Sequence, residues 1–167
     1  TGTIAFTDAE VAFLHSNWNN IIIGNTNMTG DINIKSGITW TDPMSFRTNT
    51  GIINMAGTMA MGGNALTFTT NADLNIGGNL TGTGTLTIST VASSTAIMGM
   101  GDGQTGALHL SNLEMSRIVG GWGSLVFGSN SANGAINIGA RTWDDVVTIN
   151  SNTGVISING ALTMTAN

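Results

Sequence analysis

Ionisable side chains are few enough to weigh one at a time. The chain of 167 residues has nine Asp and Glu, four Lys and Arg and two His, a formal net charge of −5. Asp144-Asp145 is its only adjacent acid pair. Clustered carboxylates can act as acid and base or hold calcium, but they need several acids on one face with a basic residue nearby. Asp42 stands 103 positions before Asp145 and Thr41 stands opposite Asp144, so what recurs is Trp-x-Asp. That pattern is a turn signal in which Asp accepts its own backbone N–H. Glu10 and Glu114 each follow a hydroxyl by three, in Thr7-Asp8-Ala9-Glu10 and Ser111-Asn112-Leu113-Glu114. The hydroxyl can take the N–H at the third helical position while Glu reaches back to the cap, so both read as helix caps and not as catalysts.

The remaining candidates reduce in the same way. His15 and His109 lie in no metal-binding spacing and read as solvent-exposed. Gly99-Met100-Gly101-Asp102-Gly103 is similar to a glycine–aspartate calcium repeat, which works only in tandem, and one copy reads as a loop. Met55, Met59 and Met61 could offer thioethers to a soft metal, yet their strand-like alternation with small residues favours core packing. Zero cysteine excludes a disulfide scaffold and a thiolate site. Lys35, Arg47, Arg117 and Arg141 are too few for a phosphate-binding patch, which argues against nucleic acid. No apolar run approaches the ~18 residues of a membrane-spanning helix. The chain starts at Thr1 without a signal-peptide pattern, as expected of a processed or excised segment. No catalytic residue, metal or cofactor is expected, and the chain reads as a non-enzyme.

The elements that carry these residues are strands. Ile32-Asn33-Ile34, Leu66-Thr67-Phe68-Thr69, Leu74-Asn75-Ile76, Leu86-Thr87-Ile88, Ile136-Asn137-Ile138 and Leu162-Thr163-Met164 alternate apolar with Thr or Asn. Period two marks a half-buried strand. Glycine and asparagine punctuate at intervals of about 8–12 residues, the spacing of an all-β chain. A sandwich, a barrel and a β-solenoid all fit that pattern. Composition favours the solenoid: charged residues are 8% of the chain. Stacked turns put like side chains above one another, where charges repel and Thr, Asn and Ser can hydrogen-bond. The expected fold is all-β, a right-handed parallel β-helix of about seven to nine turns at ~20 residues each. Thr-x-Thr pairs such as Thr67/Thr69 could form an ice-binding array, but they do not recur every turn and read as ordinary outward strand positions.

The chain also repeats itself. Residues 6–34 align without a gap on 110–138 at an offset of 104, matching Glu10 to Glu114, Trp18 to Trp122 and Gly24 to Gly128. After a one-residue deletion Trp40 matches Trp143, and Asn49-Thr50-Gly51 matches Asn152-Thr153-Gly154. Two modules are expected, 1–105 and a shorter 106–167, each interrupted by one or two helical turns at its capping box. Trp18 and Trp122 are expected as platforms where that helix docks, with carbohydrate binding by an exposed aromatic as the alternative.

Thr7 to Glu10, Ile21 to Gly24 and Gly30 to Ile34, with Ser111 to Glu114, Leu125 to Gly128 and Gly134 to Ile138, form a module that resembles the repeat of filamentous haemagglutinin-like bacterial surface proteins. The resemblance implies a right-handed β-helical shaft, export across the outer membrane, and a role in adhesion, biofilm or cell contact. The family's secretion domain carries an Asn-Pro-Asn-Leu-like motif. The only proline here is Pro43, after Asp42, so the resemblance assigns this chain to the shaft.

The expected function is thus a structural shaft or fibre segment, extracellular or on the bacterial cell surface, with no ligand assigned. A self-assembling filament subunit is the alternative. In either case the partners are other copies or flanking repeats, head to tail, and the strand Leu162, Thr163, Met164, Thr165 would form one assembly end.

Overall fold

The computed structural model describes every residue except Thr1, Ala12, His15, Ser16, Ser36, Ala166 and Asn167. Among the described residues the pairings between short strands are all parallel, and the strands stack as a β-solenoid of about six turns. The first face is one sheet of six strands: Ile21–Gly24, Met44–Arg47, Leu66–Thr69, Thr85–Ser89, Ser124–Ser129 and Val147–Ser151. The second face holds two four-stranded sheets. One is Ile4–Phe6, Ile32–Ile34, Ile53–Met55 and Leu74–Ile76, and the other is Leu108–Leu110, Met98–Met100, Ile136–Ile138 and Ile156–Ile158. The third face stacks Ile38–Thr39, Met59–Ala60 and Leu80–Thr81, with Arg141–Trp143 and Leu162–Met164 as a separate pair.

Parallel register puts like over like. Met44, Leu66, Leu86, Leu125 and Val147 form one inward column, and Phe46, Phe68, Ile88, Phe127 and Ile149 form the next. Phe46 and Phe68 stack with ring centroids 5.6 Å apart. Burying one such side chain is worth about 1.5–3 kcal/mol, so the column is the principal stabiliser. Outward, Asn33, Asn54 and Asn75 pass a side-chain hydrogen bond from turn to turn, at 2.9 and 2.6 Å. One corner repeats a hydroxyl followed by asparagine. Thr48 Oγ1 donates to Gly30 O at 3.0 Å, Thr70 Oγ1 to Gly51 O at 2.9 Å and Ser151 Oγ to Gly134 O at 3.0 Å. The chain passes so tightly there that a Cβ on Gly51 would run into the Gly30 carbonyl.

The turn count differs from the seven to nine expected, because one stretch of chain adds no turn to the first face. Ile21, Met44, Leu66 and Leu86 succeed one another at 20–23 residues, but Leu86 pairs next with Leu125, 39 residues on. Between them the chain forms Met98–Met100, doubles back, and lays Leu108–Leu110 between that strand and Leu74–Ile76. The second face holds eight strands against six on the first, and Leu108–Leu110 is one of the extra two. A five-residue helix, Asn112–Ser116, follows the return, and a four-residue helix, Asp8–Val11, follows Ile4–Phe6. No helix among the described residues is long and apolar enough to cross a membrane.

Candidate functional site

The two capping boxes have the same local geometry. Thr7 N donates to Glu10 Oε2 at 2.9 Å and Glu10 N donates to Thr7 Oγ1 at 3.3 Å. Ser111 N donates to Glu114 Oε2 at 2.9 Å and Glu114 N donates to Ser111 Oγ at 3.2 Å. The hydrogen bonds from Thr7, backbone first, hold the Glu10 carboxyl below its ordinary range. Glu114 does more than Glu10. Its Oε1 accepts from Ile76 N at 3.2 Å, and the Arg117 guanidinium donates to Ile76 O. Asp73 Oδ1 accepts from His109 N at 3.3 Å. These three side chains supply hydrogen bonds across the boundary between the two sheets of the second face.

Sequence reasoning named Glu114 only as a cap and did not single out Asp73 or Arg117. A signal for Asp73 exists, since Asp31-Ile32-Asn33-Ile34 is matched by Asp73-Leu74-Asn75-Ile76. Asp31 Oδ1 likewise accepts a backbone N–H from the next turn, that of Ile52, at 2.8 Å. Arg117 offers no comparable signal.

Asp42 and Asp145 lie in bends, as the turn reading has it, but both are buried and the backbone donors they take belong to the preceding turn of the solenoid. Asp42 Oδ1 takes Asn17 N and Trp18 N, each at 2.9 Å, and Asp145 Oδ1 takes Gly121 N at 2.7 Å. Asn17 and Gly121, 104 positions apart, both have positive φ, 90° and 113°. The carboxylates thus brace a left-handed bend, a conformation open to Gly and, less readily, Asn.

The four tryptophans divide unevenly. Trp40, Trp122 and Trp143 are buried, and the Trp122 ring lies close over Gly82. Trp18 is 59% exposed against 3% for Trp122, and with Leu14, Asn20, Ile21 and Ile22 it lines an apolar hollow. Trp18 leads into the outermost strand of the first face, whereas Trp122 has a preceding turn to cover it. Arg141 packs on Trp143, 5.2 Å from the ring centroid, and donates from Nη2 to Met115 O at 2.8 Å. Burial draws its guanidinium below the ordinary value, against the pull of Asp144. Arg141 and Asp144 line an open cleft of about 570 Å³ with Asn112, Thr142 and Thr163.

The other candidates are dispersed. His109 is half-buried, not fully exposed, with Nε2 3.2 Å from Gly101 O; His15 lies outside the described residues. Met55, Met59 and Met61 are core residues. Asp102 Oδ1 accepts from Asn112 N at 3.0 Å. Among the described residues no group of three or more His, Asp or Glu is placed to hold a metal. Leu162, Thr163 and Met164 pair with Arg141, Thr142 and Trp143, and Thr165 Oγ1 donates to Trp143 O at 3.3 Å. Comparison with known protein families, with curated proteins and with solved structures gives no match.

Proposed function

We propose that the chain is a non-enzymatic shaft segment of an exported bacterial surface protein. It would be a right-handed β-helix built from two modules, 1–105 and 106–167, each interrupted by its capped helix. The observation that carries this reading is the six-stranded parallel sheet running through the stack, with apolar columns inside and an asparagine ladder outside. Nearest-neighbour stacking of that kind extends a solenoid by adding turns, which suits a spacer that holds another site away from a surface. Antibodies raised against the folded protein are expected to label intact producing cells. Labelling confined to permeabilised cells would overturn surface display.

A second reading, a filament subunit joined head to tail, draws on a separate observation. Inward-facing Ile156 and Ile158 are 41% and 60% exposed, while Ile136 and Ile138 one layer below are buried. Light scattering at rising concentration decides it: growth in mass supports association, and constant monomer mass excludes it.

A further inference from the structure

The strands of the first face end beside a groove that no described carboxylate lines. Arg47, Thr69 and Ser89 are the last residues of Met44–Arg47, Leu66–Thr69 and Thr85–Ser89, and they stand in register on successive strands. Each of these strands is paired on both sides, so the centre of the groove owes nothing to an open end of the stack. Thr90 follows Ser89, loops add Thr26 and Ser131, and the groove encloses about 170 Å³. Among the described residues that line it, only Ala92 is apolar. Arg47 is half-buried, and among the described residues its guanidinium has no hydrogen-bond or carboxylate partner.

Thr90 points the same way. Thr69 pairs with Ser89 and Thr70 N donates to Ser89 O, which sets Thr90 over Thr70. The hydroxyls of Thr48 and Thr70 close on Gly30 O and Gly51 O. That of Thr90 makes no such bond and has no other partner among the described residues, although Thr90 is only 4% exposed. Buried hydroxyls are rarely left unpaired. This one is not sealed in the core, and the little of Thr90 that meets solvent opens on the groove.

We propose that this groove binds an acidic sugar, a carboxylate carried on a short chain of pyranose rings. Arg47 supplies the planar fork that a carboxylate matches. Ser and Thr hydroxyls both donate and accept, as sugar hydroxyls do. They recur along the stack at the strand spacing of about 4.8 Å, close to the length of one ring in an extended chain, so Arg47 to Ser89 spans about two or three rings. One cation is too little for a polyphosphate. A lining without large apolar or aromatic side chains offers nothing to a lipid or a nucleobase. An added peptide strand would need an unpaired sheet edge, which these strands lack. The groove is smaller than the roughly 300–1,000 Å³ of ordinary small-molecule sites, so millimolar affinity is expected. The proposal does not use the shaft reading: surface labelling of cells and sugar binding succeed or fail separately.

The probe is trigalacturonate, followed through the amide shifts of the unmodified protein. Saturable shifts at Arg47, Thr69, Ser89 and Thr90 are expected, with a Kd of about 10 mM or tighter. The methyl-esterified trimer keeps the shape and loses the charge, and sodium acetate at equal ionic strength keeps the charge and loses the rings. Each should bind at least about tenfold more weakly, and Arg47→Gln should weaken trimer binding by a similar factor. Thr90→Val should weaken it at least about threefold, yet melt with the unmodified protein, because the hydroxyl it removes bonds nothing in the fold. Thr70→Val, which strips Gly51 O of a donor, should melt lower. No saturation at about 10 mM overturns the proposal, as do shifts confined to other residues or an Arg47→Gln variant that binds equally well. Acetate binding as tightly as the trimer would leave a plain anion site and overturn the sugar. The ester binding as tightly would overturn the charge pairing with Arg47. A Thr90→Val variant that melts lower, or fails to fold, would overturn the assignment of that hydroxyl to the site, and the Arg47→Gln comparison would then decide the rest.

Discussion

Asp42 is a lone acid whose work is structural. It is buried, and its Oδ1 satisfies two backbone donors on the bend at Asn17 and Trp18. Asp42→Ala leaves both donors without that acceptor, a loss of about 1–3 kcal/mol per group if they stay dry. Asp42→Asn keeps an acceptor oxygen and should recover part of the loss; thermal unfolding of the two variants measures the difference. Glu10 carries the pH-dependent prediction. Its folded pKa is depressed by Thr7, so its contribution is present above the unfolded carboxyl value and is lost as pH falls through the folded one. An NMR titration following the Thr7 amide should report a midpoint below the ordinary glutamate range. The Thr7→Ala variant keeps the amide donor but loses the hydroxyl, and should move that midpoint part of the way back.

At the scale of elements, the corner is where sequence and backbone agree most closely. The hydroxyl of Thr48 or Thr70 closes on a carbonyl of the previous turn, and glycine lets the next turn pass within contact. Gly51→Ala would force a methyl group into the Gly30 carbonyl and should cost about 1–3 kcal/mol or more, the range of overpacked cores. Gly63→Ala meets nothing nearer than Thr83 Oγ1 at 3.8 Å and should melt close to the unmodified protein. The strands themselves were legible in the sequence. Period-two alternation marks Ile32–Ile34 and Leu66–Thr69 because a half-buried strand shows only one face to the core. The doubling back between Ser89 and Ser124 was not legible. Met98-Gly99-Met100 and Leu108-His109-Leu110 read alike, and nothing local says which of two similar strands lies nearer to Leu74–Ile76. The bends at Asp42 and Asp145 were legible, but their donors were not, for a related reason. A carboxylate that accepts from a residue 24 or 25 positions away leaves no mark in its immediate neighbours.

Across the whole molecule, one core runs the length of the stack, but the hydrogen-bonded frame around it is uneven. The first face is continuous from Leu66–Thr69 through Thr85–Ser89 to Ser124–Ser129. On the second face the ladder changes sheets between Leu74–Ile76 and Leu108–Leu110, where Asp73, Glu114 and Arg117 make the crossing bonds. On the third, a single bridge joins Leu80 to Ile118, with Leu80 N donating to Arg117 O at 2.8 Å and Val119 N to Leu80 O at 3.0 Å. In a solenoid, stability is close to a sum of repeat and neighbour-interface contributions, so the weakest interface decides where cooperativity breaks. Removing Glu114 and Arg117 side chains together frees both the N–H and the C=O of Ile76, at about 1–3 kcal/mol for each group left unsatisfied. It also strips the helix Asn112–Ser116 of its reciprocal cap. The Glu114→Ala/Arg117→Ala double variant should therefore lose cooperativity as well as stability. Hydrogen exchange is expected to show Ile136–Ile138 and Val147–Ser151 opening first, while Ile53–Met55 and Leu66–Thr69 stay protected to higher denaturant. Glu114→Gln has one acceptor oxygen, enough for Ile76 N though not for Ser111 N as well, and should keep the two halves coupled while weakening the cap. Exchange that accelerates evenly through both halves of the double variant would mean that the first face alone couples them, and that the side-chain clamp is not what holds the stack together.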